Sequence, residues 1–369
     1  MKILVFSNCE LDPSLGSGKT HLRWSEGLKT LGHQVDVVTP KQFRKLHWPK
    51  ADQVKFSIDA LVGGLKSHWR DYDLIEIFGG NFGWLTGTFK TLRKGNRPLI
   101  VAHADGLELL ASKVARKVDP KKYKKIFHRL TTPLYDSINR MHFSFADGFV
   151  CLSQEDLSFF RSFPEHAKIP SIAIAPGLDS EFLERPFKIP PPTLHIAFVG
   201  TWSSRKAPER IARVVSSVLE KSQKAEFHIF GASAQKGLVL NSFSEKLWPR
   251  IVVYPKLPAD EMVRLLSKCR LLFFPSHNEG FGMALSEAMA CSLPVVTTPT
   301  GLGYDLKDGE DAIVCDFQDE EKMISSILQL LTNDVLHLKI AKNGWKRVQT
   351  LSWETQVKQL ESTYLEWLK

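Results

Sequence analysis

The chain has 369 residues, a formal net charge of +9, and 43% hydrophobic and 24% charged residues. This ordinary mixture excludes a disordered or fibrous protein, and the length exceeds what one hydrophobic core usually fills. We therefore expect two domains with a cleft between them.

The sequence also restricts where the protein is found. No apolar run approaches the roughly 18 residues that a membrane-spanning helix requires. The first apolar stretch, Met1–Phe6, is too short for a signal peptide and is typical of a first buried strand. The five cysteines are widely spaced, which is typical of reduced thiols in a cytosolic protein and indicates no metal or redox pair. We predict a cytoplasmic protein.

Apolar runs of strand length alternate with amphipathic stretches of helix length along the first half of the chain. This alternation predicts a parallel sheet with crossover helices. The predicted strands are Ile3 to Phe6, Gln34 to Thr39, Leu74 to Phe78, Leu99 to Ala102 and Gly148 to Leu152.

A proline-rich stretch separates the two halves, because proline disfavours both helix interiors and central strands. We predict an N-terminal domain over 1–185, a linker over 186–193, a C-terminal domain over 194–345, and a final helix over 346–369 that packs back towards the N-terminal domain. The predicted strands of the second half are Leu194 to Gly200, Phe227 to Gly231, Ile251 to Tyr254, Leu271 to Pro275, Pro294 to Thr297 and Ala312 to Cys315.

The strongest local motif follows the strand Leu271 to Pro275. The chain there runs through Glu279, Gly280, Phe281 and Gly282 into a helix that carries Glu287. Ligands of open parallel sheets bind at such turns, and a helix N-terminus attracts phosphate. Because carboxylates accept hydrogen bonds from hydroxyl groups, we predict that Glu279 holds a hexose and Glu287 a ribose.

These residues resemble the Glu-x7-Glu motif of retaining glycosyltransferases of family 4. The segment Val199–Lys206 is similar to the family's strand and phosphate loop, and Leu15–Gly18 to its glycine-rich loop. Val101-Ala102-His103 resembles its active-site histidine segment, and further landmarks follow in the expected order. The resemblance implies an α/β protein of the GT-B fold, with two doubly wound Rossmann-like domains facing a central cleft and C-terminal helices.

The resemblance implies His103 and Glu279 as catalytic residues. The implied donor-binding set is Gly16, Gly18, Gly200, Arg205, Lys206, Leu257, Gly280, Phe281, Gly282 and Glu287. Two positions depart from the family pattern: Thr201 stands where many members carry a phosphate-binding arginine, and Ala207 where glycine is usual. The guanidinium of Arg205 is a candidate replacement, since its fork of donors suits phosphate oxygens.

We expect catalysis without a metal ion or other cofactor, with Lys206 and Arg205 neutralising the departing diphosphate. Asp71 and Asp73 have the spacing of a metal motif but precede a strand, so we interpret them as a solvated turn. The Gly18-Lys19-Thr20 segment lacks the upstream glycine of a nucleotide-triphosphate P-loop, because Pro13 stands there.

Three features of the sequence have more than one interpretation. His103 is either a sugar-orienting group or a core histidine bonded to a neighbouring carbonyl. Asp105, in Ala104-Asp105-Gly106, is interpreted as a turn residue and left out of the catalytic set. The basic run over 113–129 is either a solvated helix face or a contact for anionic headgroups of the cytoplasmic membrane or for a lipid-diphosphate acceptor. We find no nucleic-acid-binding motif.

The sequence thus predicts transfer of a hexose from a UDP- or GDP-sugar to a glycan, lipid-linked or small-molecule acceptor, with retention of configuration. A nucleotide-sugar epimerase on the same fold is one alternative. A noncatalytic module that binds sugar nucleotides is another.

Overall fold

The computed structural model describes residues 1–13, 16–39, 68–124 and 126–369, with the backbone alone for 126–130. The chain divides into two compact units, one formed by 1–177 with 353–369 and the other by 178–352. The division precedes the predicted linker, because the helix Ser180–Leu183 packs against the helices Ala259–Leu266 and Met283–Ala290 of the second unit. Residues 186–193 therefore lie inside that unit.

The first unit contains a parallel sheet in the order β2-β1-β3-β4-β5-β6. Five of these strands lie where the hydrophobic runs predict them. The sixth, Ser171–Ala173, has three residues and only one large apolar side chain, so its periodicity is too short to detect. The strands are β1 Lys2–Phe6, β2 Gln34–Val38, β3 Leu74–Phe78, β4 Leu99–Ala104, β5 Gly148–Cys151 and β6 Ser171–Ala173.

Helices surround this sheet and include the last helix of the chain. Trp353–Trp367 packs against Gly16–Thr30, and the contact is so close that a Cβ on Gly27 would lie 2.5 Å from Val357 Cγ2. The helices described in this unit are Gly16–Thr30, Gly83–Leu92, Glu108–Val118, Pro120–Lys124, Ile126–Ser144, Gln154–Arg161 and Trp353–Trp367.

The second unit contains a parallel sheet in the order β12-β11-β10-β7-β8-β9. Its strands are β7 His195–Val199, β8 Glu226–Phe230, β9 Ile251–Tyr254, β10 Leu271–Phe274, β11 Val295–Thr297 and β12 Ile313–Val314. Its helices are Ser180–Leu183, Pro208–Lys221, Lys236–Leu240, Ala259–Leu266, Met283–Ala290, Leu302–Asp305, Glu320–Thr332 and Asp334–Val348.

Each sheet has one point at which the strand order reverses. In the first unit it lies between β1 and β3, and in the second between β7 and β10. Connections leave these neighbouring strands in opposite directions, which opens a crevice beyond their carboxyl ends. No helix among the described residues is long and apolar enough to cross a membrane.

Candidate functional site

The reversal point of the second sheet brings together two of the predicted motifs. β7 leads through Gly200 into a short 3-10 turn, Ser204–Lys206, and then into the helix Pro208–Lys221. β10 leads through Glu279 into the helix Met283–Ala290. Both loops leave the carboxyl ends of adjacent strands, so residues more than seventy positions apart meet at one edge of the sheet.

Lys206 is a buried cation at this edge. Its side chain is 8% exposed, and Nζ lies 4.1 Å from the centroid of the Phe274 ring. Nζ donates a hydrogen bond of 2.6 Å to Glu279 Oε1. Burial lowers the pKa of Lys206, while the Glu279 carboxylate opposes that shift. The ammonium group is therefore fixed in place by an aromatic face and a carboxylate.

Arg205 supplies a second cation to the same carboxylate. Its Nη1 donates to Glu279 Oε2 over 2.9 Å, while half of the side chain remains exposed. The backbone holds this residue as well, because the carbonyl of Arg205 accepts a hydrogen bond of 2.8 Å from the amide of His277. Two cations and one carboxylate give the cluster a formal charge of +1. An arriving anion finds two charged donors already pointed at one spot.

The loop after β11 fixes the backbone of Glu279. Thr300 Oγ1 accepts a hydrogen bond of 2.9 Å from the Glu279 amide. Gly301 follows with a φ of 57°, and a Cβ there would lie 2.5 Å from the carbonyl oxygen of Phe281 and 3.0 Å from Glu279 Cβ. Only glycine adopts this conformation at such close approach without strain. The two loops therefore position the carboxylate jointly.

The other predicted donor residues of this unit lie around the cluster or farther along the sheet edge. Gly282 has a φ of 87° and precedes the helix Met283–Ala290, and Glu287 is half-buried on that helix. Gly280 and Phe281 are buried in the preceding loop. The remaining two predicted residues are Gly200, whose added Cβ would lie 3.2 Å from Lys206 Cε, and Leu257, half-buried in the loop after β9.

Ala207, where the family usually has glycine, adopts a left-handed conformation with φ 60° and ψ 55°. This backbone geometry is the physical reason that glycine suits the position, because a Cβ is strained there. The alanine nevertheless keeps the turn that places Lys206.

The first unit holds the remaining predicted residues. Gly16 and Gly18 begin the helix Gly16–Thr30, and a Cβ on Gly18 would lie 2.5 Å from the carbonyl oxygen of Glu10. Close packing within its own unit therefore explains why residue 18 is a glycine. Leu15, the first residue of the predicted glycine-rich loop, lies outside the described residues. Binding of a donor by these glycines stays a prediction.

His103 lies in β4 and is 1% exposed. Its Nε2 is 2.7 Å from Tyr364 Oη and 2.8 Å from Glu76 Oε1, and the Tyr364 hydroxyl donates to the same carboxylate over 2.6 Å. These contacts tie the final helix to the sheet. They give His103 a role in packing, and its catalytic role stays a prediction.

Sequence reasoning missed a second charged cluster, at the reversal point of the first sheet. His21 Nε2 lies 2.6 Å from Asp105 Oδ2, and Nδ1 lies 2.7 Å from Ser7 Oγ. Burial by itself lowers the pKa of His21, but Asp105, with a smaller contribution from Cys9, raises it to about 10. Asp105 is therefore an ion-pair partner as well as the turn residue of the sequence interpretation. Eighty-four positions separate the two residues, so no local sequence motif predicts the ion pair.

Glu108 stands near this pair at the start of the helix Glu108–Val118. Its Oε1 accepts a hydrogen bond of 2.7 Å from the amide of Gly80. Burial raises the pKa of Glu108 to about 7, and the charge of Asp105 contributes to the rise. Glu108 Oε2 and Asp105 Oδ1 are buried and have no hydrogen-bond partner among the described residues. Such oxygens keep an unused capacity to accept hydrogen bonds.

The basic segment 113–129 begins on the helix Glu108–Val118 and continues into the two helices that follow it. The Lys113 ammonium lies 5.2 Å from the centroid of the Phe159 ring, and Arg116 pairs with Asp136 at 2.7 Å. The side chains of Lys125 and Arg129 lie outside the described residues. The exposed lysines of the run are Lys113, Lys117, Lys121, Lys122 and Lys124.

Solved structures share this architecture over the whole chain. Sucrose-phosphate synthase from Thermosynechococcus elongatus has a TM-score of 0.76 at 19% identity, covering 99% of this chain and 98% of that structure. HepE from Anabaena, in complex with UDP and glucose, has a TM-score of 0.70 at 15% identity, covering 99% and 100%. Together with the two parallel sheets, these likenesses show an α/β protein of the GT-B fold, as the sequence predicts.

Sequence comparison relates the second unit to a family of known proteins. Residues 179–347 match the family model described as Glycosyl transferases group 1. The D-inositol 3-phosphate glycosyltransferase of Corynebacterium efficiens is 25% identical over 343 residues, or 85% of this chain and 77% of that protein. An uncharacterized glycosyltransferase of Methanocaldococcus jannaschii is 35% identical over 108 residues, or 29% of this chain.

The chain spans 31% of the length of the Methanocaldococcus relative and 48% of the D-inositol 3-phosphate glycosyltransferase of Corynebacterium aurimucosum. The matched residues cover the second unit with its Lys206, Arg205 and Glu279 cluster. The match of residues 179–347 to the group 1 glycosyl transferase model agrees with the resemblance noted in the sequence.

Proposed function

We propose that this protein is a retaining glycosyltransferase that moves a hexose from a nucleotide-diphosphate sugar to a hydroxyl acceptor. The observation that carries the proposal is the convergence of Lys206 and Arg205 on Glu279 at the reversal point of the second sheet. The UDP complex of the structurally similar HepE supports a UDP-sugar as donor.

Lys206 and Arg205 bind the diphosphate of the donor. Breaking the bond between sugar and diphosphate leaves negative charge on the departing phosphate, so fixed cations stabilise the transition state more than the ground state. Because these cations and the helix N-terminus after Gly282 neutralise that charge, no metal ion is needed for the step. Glu279 releases part of its ion pairing as the phosphate arrives.

Glu279 and Glu287 bind the two hydroxylated parts of the donor. The Glu279 carboxylate accepts hydrogen bonds from the hexose, and Glu287, one helix turn beyond the glycine loop, accepts them from the ribose. The acceptor hydroxyl attacks the face from which the diphosphate leaves, which retains the anomeric configuration without a covalent enzyme intermediate.

The first unit binds the acceptor. At the reversal point of its sheet, Asp105 and Glu108 each have a buried carboxylate oxygen that no group in the described part of the chain hydrogen-bonds. A glycan, lipid-linked or small-molecule acceptor offers hydroxyl groups that satisfy such oxygens. The protonated His21 fixes Asp105 through their ion pair.

The test is chromatography with mass spectrometry of mixtures of candidate donors and acceptors. Transfer yields free nucleotide diphosphate and a glycosylated acceptor, epimerisation converts the donor without an acceptor, and a binding module releases no diphosphate. Thermal shift with a panel of UDP- and GDP-sugars selects the donor first, since a true donor stabilises the folded protein by mass action.

Site variants connect the activity to the cluster. We expect Lys206→Ala and Glu279→Gln each to lower kcat by roughly a hundredfold or more, the loss typical of one preorganised electrostatic contact. Lys246→Ala and Glu220→Gln are matched controls, because these residues form an exposed ion pair of the same unit. Near-normal turnover by both purified site variants would remove this cluster from the mechanism.

We also propose a peripheral contact between the basic segment and the cytoplasmic face of an anionic membrane. Lys121, Lys122 and Lys124 lie exposed on a helix, Pro120–Lys124, that buries none of its residues. Each lysine near an anionic surface contributes about 1 kcal/mol of binding. Replacing these three with glutamine is expected to abolish sedimentation with phosphatidylserine vesicles, and a parent protein that does not bind such vesicles would end the proposal.

A further inference from the structure

Two histidines and a glutamate gather at the opposite end of the second sheet from the proposed donor site. His195 and Glu226 are the first residues of β7 and β8, and they are direct partners in the parallel register. His228 lies two residues after Glu226, so both side chains point to the same face. The five-residue length of β7 puts this cluster about 16 Å from the donor loops.

The donor atoms of this cluster have the spacing of a metal site. His228 Nε2 lies 3.0 Å from Glu226 Oε2, His195 Nε2 lies 3.6 Å from the same oxygen, and all three donor atoms lie within 4.8 Å of one another. Ligand atoms on a tetrahedral zinc, at bonds of 2.0–2.1 Å, stand about 3.3 Å apart. The two imidazole rings stack with centroids 4.4 Å apart, so rotation of the His195 side chain is the change that brings all three donor atoms onto one ion.

A fourth residue holds one of the imidazoles in the orientation that a metal requires. His228 Nδ1 is 3.2 Å from the hydroxyl of Tyr254, so Nε2 is left pointing at Glu226. Histidine ligands usually make such a second hydrogen bond, which sets the tautomer and the ring direction.

We propose that His195, Glu226 and His228 bind one Zn²⁺ ion, with water in the remaining position. Two imidazoles and one carboxylate are a donor set that zinc accepts. The side chains of His195 and Glu226 are 30% and 41% exposed, so an ion reaches the cluster from solvent. The bound ion ties β7 to β8 at their amino ends and takes no part in sugar transfer. Sequence spacing predicted no metal site, because β-sheet register, rather than a local motif, assembles this one.

The test is a titration of the untagged, chelator-treated protein with Zn²⁺ in a calorimeter and with Co²⁺ followed by visible absorption. We expect one equivalent of either metal and the absorption bands of tetrahedral cobalt. The double variant His195→Gln/His228→Gln is expected to bind at least a hundredfold more weakly. Tyr254→Phe, which keeps all three ligands, is expected to lose 10- to 100-fold in affinity.

His68→Gln is the matched control, since it removes an exposed imidazole outside the cluster, and it is expected to bind as the parent does. Equal metal binding by the parent and the double variant would show adventitious binding and overturn the proposal. A parent protein that takes up neither metal would overturn it as well. Circular dichroism of each variant separates loss of ligands from loss of the fold. Because metal uptake is the measured quantity, the result does not depend on the proposed transferase activity.

Discussion

Replacement of Asp105 by asparagine is expected to change how the stability of the first unit depends on pH. Asp105 is the counter-charge of His21, whose pKa rises from 6.5 to about 10 in the folded protein. A base with a raised folded pKa stabilises the fold fully below its unfolded pKa, and the effect is lost as pH rises through the folded pKa. The stabilisation by protonated His21 is therefore lost between pH 6.5 and about pH 10.

The size of the effect follows from the pKa rise. At about 1.4 kcal/mol for each pH unit, the ion pair contributes on the order of 4 kcal/mol at pH 6.5 and nothing above pH 10. In the Asp105→Asn variant, burial remains as the main influence and keeps His21 neutral across this pH range. The destabilisation by this substitution should therefore be large at pH 6.5 and shrink by about 1.4 kcal/mol per pH unit.

Hydrogen exchange in urea, measured on peptides from β1 and β4, is the suitable assay because a bulk signal would sum the unfolding of two units. Parent and variant are compared at pH 6.5, 7.5, 8.5 and 9.5. Two stability curves that stay parallel across this range would refute a charged, ion-paired His21. They would also remove the protonated imidazole from the proposed acceptor site.

Three further changes test the two clusters. Gly301→Ala should lower the free energy of unfolding by about 2 kcal/mol or more, because the new Cβ would lie 2.5 Å from a buried carbonyl oxygen at a φ of 57°. Gly237→Ala is the control: its new Cβ meets open space, so thermal unfolding should not change. Glu108→Gln should raise stability by up to about 3 kcal/mol at pH 8 and leave it unchanged at pH 4, since burial raises the pKa of this acid from 4.5 to about 7. Lys206→Ala and Glu279→Gln should each destabilise the second unit in urea denaturation. The double variant should lose about 0.5–3 kcal/mol less unfolding free energy than the sum of the two single losses. Strict additivity would contradict the ion pair.

The sequence predicts the sheets well because buried parallel strands are short, continuous apolar runs. β9 begins and ends at the predicted residues, whereas β6 escapes detection because a three-residue strand has no measurable period. The glycine loop and Glu279 were found because they lie together in the chain. The orientation of Arg205 required the structure, since a side-chain direction depends on packing between loops that are far apart in sequence.

The site in the first unit could not be predicted for the same reason. His21 and Asp105 come from the helix after β1 and the loop after β4, and each residue alone has an ordinary explanation. The histidine that the sequence did single out, His103, lies in the strand and pairs with Glu76 and Tyr364. His21 lies on a helix and His103 within a strand, and the hydrophobic pattern carries no information about which imidazole lies at the sheet edge.

The two reversal points differ in charge, and this difference supports the proposed roles of the two units. The second unit places two cations against one carboxylate, Glu279, whereas the first places Asp105 and Glu108 near a single imidazolium, His21. A diphosphate is attracted to the two cations of the second unit, and it is repelled by the two carboxylates of the first unit when Glu108 is ionised. An acceptor that offers hydroxyl groups has the reverse preference, because carboxylates accept its hydrogen bonds. The charges of the two clusters therefore support the proposed binding of donor by the second unit and of acceptor by the first, independently of the motif that first identified the donor loop.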